Sequence, residues 1–118
     1  MTFFKVALAA GWLAVLAVTA RAVGSMGLGA AGDIFMADFA HPWRAQFNSD
    51  FLGHILLMAG WIAWRDRVLA KGLALGLLAI MGGGAFSFGY VLVAAIRAKG
   101  DMRRLLLGDR AGGDALPG

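Results

Sequence analysis

The sequence predicts an all-α integral membrane protein with three membrane-spanning helices, the last two an antiparallel hairpin, and a short interfacial helix in the first loop. Three observations predict it. Apolar residues make up 60% of the 118 residues and charged residues only 15%, against roughly 45–50% and about 25% in a soluble domain, so there is too little polar surface to cover a core in water. The apolar residues gather into three runs of about 18 to 25 residues, near the ~20 that a helical span requires. The 11 Lys and Arg residues fall mainly at the ends of those runs, where cations anchor a helix to anionic headgroups.

The first span covers 3–23, with Lys5 near its start and Arg21 near its end. At about 1.5 Å per residue it crosses a hydrocarbon core of about 30 Å. A secretory signal peptide is the competing reading, with Lys5 as its charged start, 6–18 as its apolar region and Val18-Thr19-Ala20 as its cleavage site.

The stretch 24–46 holds four glycines, two aspartates and the run His41-Pro42-Trp43-Arg44. Such backbone cannot lie bare in lipid and belongs at an interface. Within it, 33–39 reads as an interfacial helix dipping Ile34, Phe35 and Phe39 inward and ended by Pro42. Trp43 and Arg44 suit the headgroup level.

The second span covers 47–64, with Asn48 or Ser49 as N-cap and with Trp61, Trp64 and Arg65 as anchors at its end. The third covers 72–96 and carries Gly82-Gly83-Gly84 in its middle, a run that costs helix propensity on the order of 1 kcal/mol per glycine. The short linker between them makes the hairpin. The transmembrane domain is thus 1–100, and 101–118 is a basic polar tail in which 102–107 suits a short interfacial helix and the final residues read as disordered. With three spans, Lys5, Arg65, Arg67 and Lys71 oppose the other seven cations, and the larger group places the tail in the cytoplasm. The expected location is a bacterial cytoplasmic (inner) membrane, crossed several times.

Chemistry is sparsely signalled. The absence of cysteine removes disulfides, thiolate metal sites and cysteine nucleophiles. Neither a phosphate-binding glycine loop, a serine elbow nor paired glutamates is present, so the sequence leans away from an enzyme without excluding one. Asp50 and His54 stand four apart on one helix face and suit a polar intramembrane pair, either functional or an interfacial aspartate near the helix start with its hydrogen-bonded histidine. His41 near Asp38 falls short of the three or four ligands a structural metal needs; no metal and no cofactor is expected, with a tetrapyrrole on His54 the one option.

Small residues recur at helical spacing: Ala7, Ala10, Ala14 and Ala17 in the first span, Gly53 and Gly60 in the second, and Gly72, Gly76, Ala79 and Gly83 in the third. Such seams let membrane helices approach closely, either each other or a further protein.

From 39 to 97 the order of features resembles small bacterial membrane families catalogued only as domains of unknown function. The features are His41-Pro42-Trp43, Asp50-Phe51, Trp61-Ile62-Ala63-Trp64-Arg65-Asp66, Gly82-Gly83-Gly84 and Tyr90-Val91-Leu92. The resemblance implies three spans and supplies no activity.

Three functions fit these features. The first is an accessory or scaffold subunit of a larger inner-membrane complex, with energy-transducing (respiratory or photosynthetic) complexes the commonest hosts, acting by packing against larger subunits and lipid, with no nucleic-acid partner. The second is a small homo-oligomeric transporter or proton-handling protein using Asp50 and His54. The third is a pigment- or haem-binding subunit through His54.

Overall fold

A computed structural model describes residues 1–111, and among them the chain is all-helical. Six α-helices follow in order: α1 (Thr2–Met26), α2 (Ala30–Ala37), α3 (Pro42–Arg65), α4 (Leu69–Gly82), α5 (Gly84–Ala98) and α6 (Met102–Leu107), with 3-10 turns at Asp38–Ala40 and Gly108–Ala111. The expectation of disorder in the final residues, 112–118, lies outside the described residues.

The three-span architecture is corrected. Among the described residues only α1, 25 residues long, is both long and apolar enough to cross a membrane. α3 has the length, 24 residues, but Asn48, Ser49, Asp50 and His54 dilute it with polar groups. The third run is not one helix: it breaks at Gly83 into α4, 14 residues, and α5, 15 residues, each short of the ~20 a span requires. Gly83 holds φ 54°, ψ −137°, a conformation open to glycine and closed to residues with a Cβ. The three glycines thus encode a turn, and the multi-pass reading falls with the third span.

α5 runs back beside α4. Phe86 and Tyr90 of α5 pack on Ala79 of α4 together with Ala59 and Ile62 of α3. α3 and α4 are antiparallel in turn, their backbones so close that a Cβ on Gly72 would collide with the Ala63 carbonyl and one on Gly76 would lie 3.0 Å from the Ala59 carbonyl oxygen. α1 lies antiparallel on α5, with Leu8 against Ala94, Ala95 and Ala98, Gly11 against the Phe88 ring and the Trp12 indole donating to the Ala85 carbonyl at 2.8 Å. Leu8, Gly11 and Trp12 all lie within the apolar region 6–18. Beyond Val15, α1 is exposed on every side.

Two boundaries differ from the sequence reading. α3 starts at Pro42, not near Asn48, because the proline ring presets φ at the first helical position and His41, extended at φ −100°, accepts the Arg44 backbone N–H on Nδ1 at 3.4 Å. The helix before it is α2 with its 3-10 extension; Asn48 donates to its Phe35 carbonyl at 3.0 Å rather than capping α3.

The arrangement has a pole. The N-terminus of α1, the C-terminus of α3, the N-terminus of α4, the C-terminus of α5 and all of α6 share one end, so Lys5, Arg65, Arg67, Lys71, Arg97, Lys99, Arg103, Arg104 and Arg110 gather there. Of the 11 cations only Arg21 and Arg44 lie elsewhere. The expected opposition of two cation groups across the membrane therefore dissolves at the Gly83 turn.

Candidate functional site: the basic pole and its cleft

Each helix that ends at the pole leaves carbonyls without intrahelical partners, and the pole is built around them. Arg65, last residue of α3, donates from Nε to the Leu105 carbonyl at 2.8 Å, from Nη2 to the Arg104 carbonyl at 3.3 Å and from Nη1 to the Tyr90 hydroxyl at 2.7 Å. Its guanidinium also lies 5.2 Å from the Trp61 ring centre and 5.4 Å from that of Tyr90. The Trp61 indole donates to the Leu106 carbonyl at 2.9 Å. A cation at a helix C-terminus is favoured by the helix dipole, and α6 thereby docks by its end. The reverse contact comes from Arg110, which donates to the Trp64 carbonyl at 2.5 Å and lies over the Trp64 ring at 5.0 Å. α3 and the C-terminal segment thus cap each other.

Asp66 is the buried charge at this junction. Its carboxylate accepts the Val68 backbone N–H at 2.9 Å and faces the Lys71 ammonium at 3.4 Å. The Val68 N–H holds its pKa below the ordinary 3.8; burial pushes the other way, and Lys71 adds to the lowering. Asp109 accepts the Arg67 backbone N–H at 3.3 Å.

Between α4 and α5 the pole opens into a cleft of about 960 Å³. Leu75 on α4 and Phe86, Tyr90 and Val93 on α5 give it an apolar wall, and Arg65, Asp66, Lys71, Arg97, Arg104 and Asp109 line its charged part at the pole. Phe86 and Tyr90 stack with ring centres 5.9 Å apart, and Trp61 meets Tyr90 edge-on at 6.3 Å.

The sequence-derived candidates fall as follows. Asp50 and His54 do meet, Oδ1 to Nε2 at 3.5 Å, but on the outside of α3 with side chains 61% and 74% exposed. His41 is a helix cap, Arg44 pairs with Asp38 at 3.8 Å, and Trp43 is exposed. No group of three or more His, Cys, Asp or Glu converges as a metal site among the described residues. Gly72 and Gly76 lie in the α3–α4 contact; Gly83 is the turn, with the Phe51 ring 3.4 Å from where its Cβ would be. Gly53 and Gly60 face open space. Ala10 and Ala14 are exposed, and α1 uses a different face, Leu8, Gly11 and Trp12, for its packing.

Sequence reasoning missed the cleft and the Arg65 clamp. Phe86, Tyr90, Val93 and Arg97 stand at i, i+4, i+7 and i+11, one helix face running from aromatic to basic; that signal was present within the third run but uninterpretable while α4 and α5 were read as one helix.

No family model matches the chain, and no curated protein or solved structure matches it.

Proposed function

We propose that the chain is an accessory or scaffold subunit, anchored by α1 in a bacterial inner membrane, that binds a larger membrane protein through the outer face of α3. One observation carries this reading. Gly53 and Gly60 lie on the face of α3 opposite Ile55, Ala59 and Ile62, and a Cβ on either would meet nothing within 4 Å. Glycine in a helix interior costs about 1 kcal/mol relative to alanine, and here nothing inside the molecule offsets that cost. Leu56, 58% exposed, and Leu57, 74% exposed, flank the two glycines. A small seam with apolar shoulders is a surface on which a helix of a partner protein can pack closely. Energy-transducing complexes, respiratory or photosynthetic, are the proposed hosts.

The test is co-purification in mild detergent with mass spectrometry of the partners. Gly53→Leu and Gly60→Leu fill open space and remove the helix cost of glycine, so each should keep the fold, with a melting temperature no lower than the wild type's, while removing the partner subunits. Partners that persist in both variants overturn the reading.

A further inference from the structure

We infer that the cleft between α4 and α5 binds one anionic phospholipid, an acyl chain lying along the apolar wall and the phosphate meeting the cations at the pole. Near their Gly83 joint Phe86 packs on the cluster that holds Ala79, and toward the basic pole the cleft lies between Leu75 and Lys71 on α4 and Tyr90, Val93 and Arg97 on α5. The resulting volume of about 960 Å³ lies within the ~300–1,000 Å³ of small-molecule sites.

The chemistry of the lining separates along one helix face. Phe86, Tyr90 and Val93 offer hydrocarbon and aromatic surface, and Arg97, one turn beyond Val93, offers a cation. Arg104 approaches from α6, and neither arginine has an ion-pair partner among the described residues. The carboxylates at the site are Asp66, paired with Lys71, and Asp109, which accepts the Arg67 backbone N–H. Arg65, Lys71, Arg97 and Arg104 line the cleft against these two, so positive charge exceeds negative. A free anion would leave the apolar wall wet, and a neutral hydrocarbon would leave the arginines unused; an amphiphile with an anionic head satisfies both.

Position fits as well. α1 packs on α5 through Leu8 at the level of Ala94, Ala95 and Ala98, so the charged part of the cleft, with Arg97, lies at the end where α1 begins. A bilayer crossed by α1 places anionic headgroups at that level.

The full-length protein, reconstituted in nanodiscs of phosphatidylcholine and phosphatidylglycerol in equal parts and released into a native mass spectrometer, should retain one phosphatidylglycerol in preference to phosphatidylcholine. Arg97→Gln with Arg104→Gln should lower that preference roughly thirtyfold, and Val93→Trp, which fills the wall and keeps the cations, should abolish retention of both lipids. Circular dichroism checks each variant for folding, and the wild-type preference decides independently of them. Equal retention of the two lipids by the wild type, or an unchanged preference in the folded double variant, overturns the inference. Displacement of the lipid by inorganic phosphate alone does so too, by reassigning the cations to a free anion. Partner co-purification does not enter this readout, so the site stands or falls separately from the α3 interface.

Discussion

The guanidinium of Arg65 reaches three acceptors because its fork is planar and its five donors are fixed relative to one another, whereas an ammonium presents one point charge. Arg65→Lys should therefore release α6 even though charge is kept. At about 1 kcal/mol per net hydrogen bond, a loss of roughly 2 kcal/mol is expected, read as faster amide hydrogen exchange across Arg103–Leu107 with α3 protection unchanged. Gly108 supports the same contact: at φ 58° it lets the chain pass 2.9 Å from the Arg65 carbonyl oxygen, measured from its would-be Cβ. Asp66 adds a pH dependence. Its pKa is lowered in the fold, so the unfolded chain binds the proton more tightly, and the stabilisation is present above about pH 3.8 and lost as pH falls further. Acid titration of the wild type should loosen the junction below that value, and Asp66→Asn should flatten the response. At this scale the sequence marked Arg65, Asp66 and Trp61 as a cluster closing the second run. The partners of Trp61 and Arg65 are Leu106, Leu105 and Tyr90, 25 to 45 residues away, and no local pattern announces a contact made with a distant carbonyl or hydroxyl.

A run of 25 apolar residues and two helices of 14 and 15 residues joined by a turn have nearly the same composition; the difference lies in one dihedral angle. Gly83 at φ 54°, ψ −137° makes the turn, and Gly83→Ala should cost about 1–3 kcal/mol of strain or straighten α4 into α5. Spin labels at Lys71 and Arg97 would report the choice, since both line one cleft in the hairpin and would be separated by some 39 Å in a continuous helix at about 1.5 Å per residue. A substitution at Gly83 thus reports on the turn, whereas those at Gly53 and Gly60 report on the partner. α1 posed a different difficulty. It is apolar around its whole circumference, so its sequence marks no buried side; the alanine repeat suggested one face, and the contacts with Phe88 and Ala85 select another.

For the molecule as a whole, the consequence of the turn is polarity. Nine cations gather at the end where α1 begins, and cations near a membrane segment are retained on the cytoplasmic side. The α1 N-terminus and the residues after α5 should therefore face the same compartment, opposite to the end of α1. Because the chain has no cysteine, single cysteines at Thr2, Ser25 and Lys99 give a clean assay in intact cells. Only the Ser25 position should react with a membrane-impermeant maleimide; labelling at Lys99 without Thr2 would contradict the shared pole. By itself, the sequence determined that the chain is helical, that its first helix is long and apolar enough to cross a bilayer, and that residues 102–107 suit a short helix, because length and hydropathy are local quantities. The tertiary structure alone decided that the third run turns back, that the cations share one pole, that Asp50 and His54 face outward, and that α4 and α5 enclose a cleft. Each of those depends on which residues distant in sequence come together, and that follows from one glycine's backbone angle and the packing it permits.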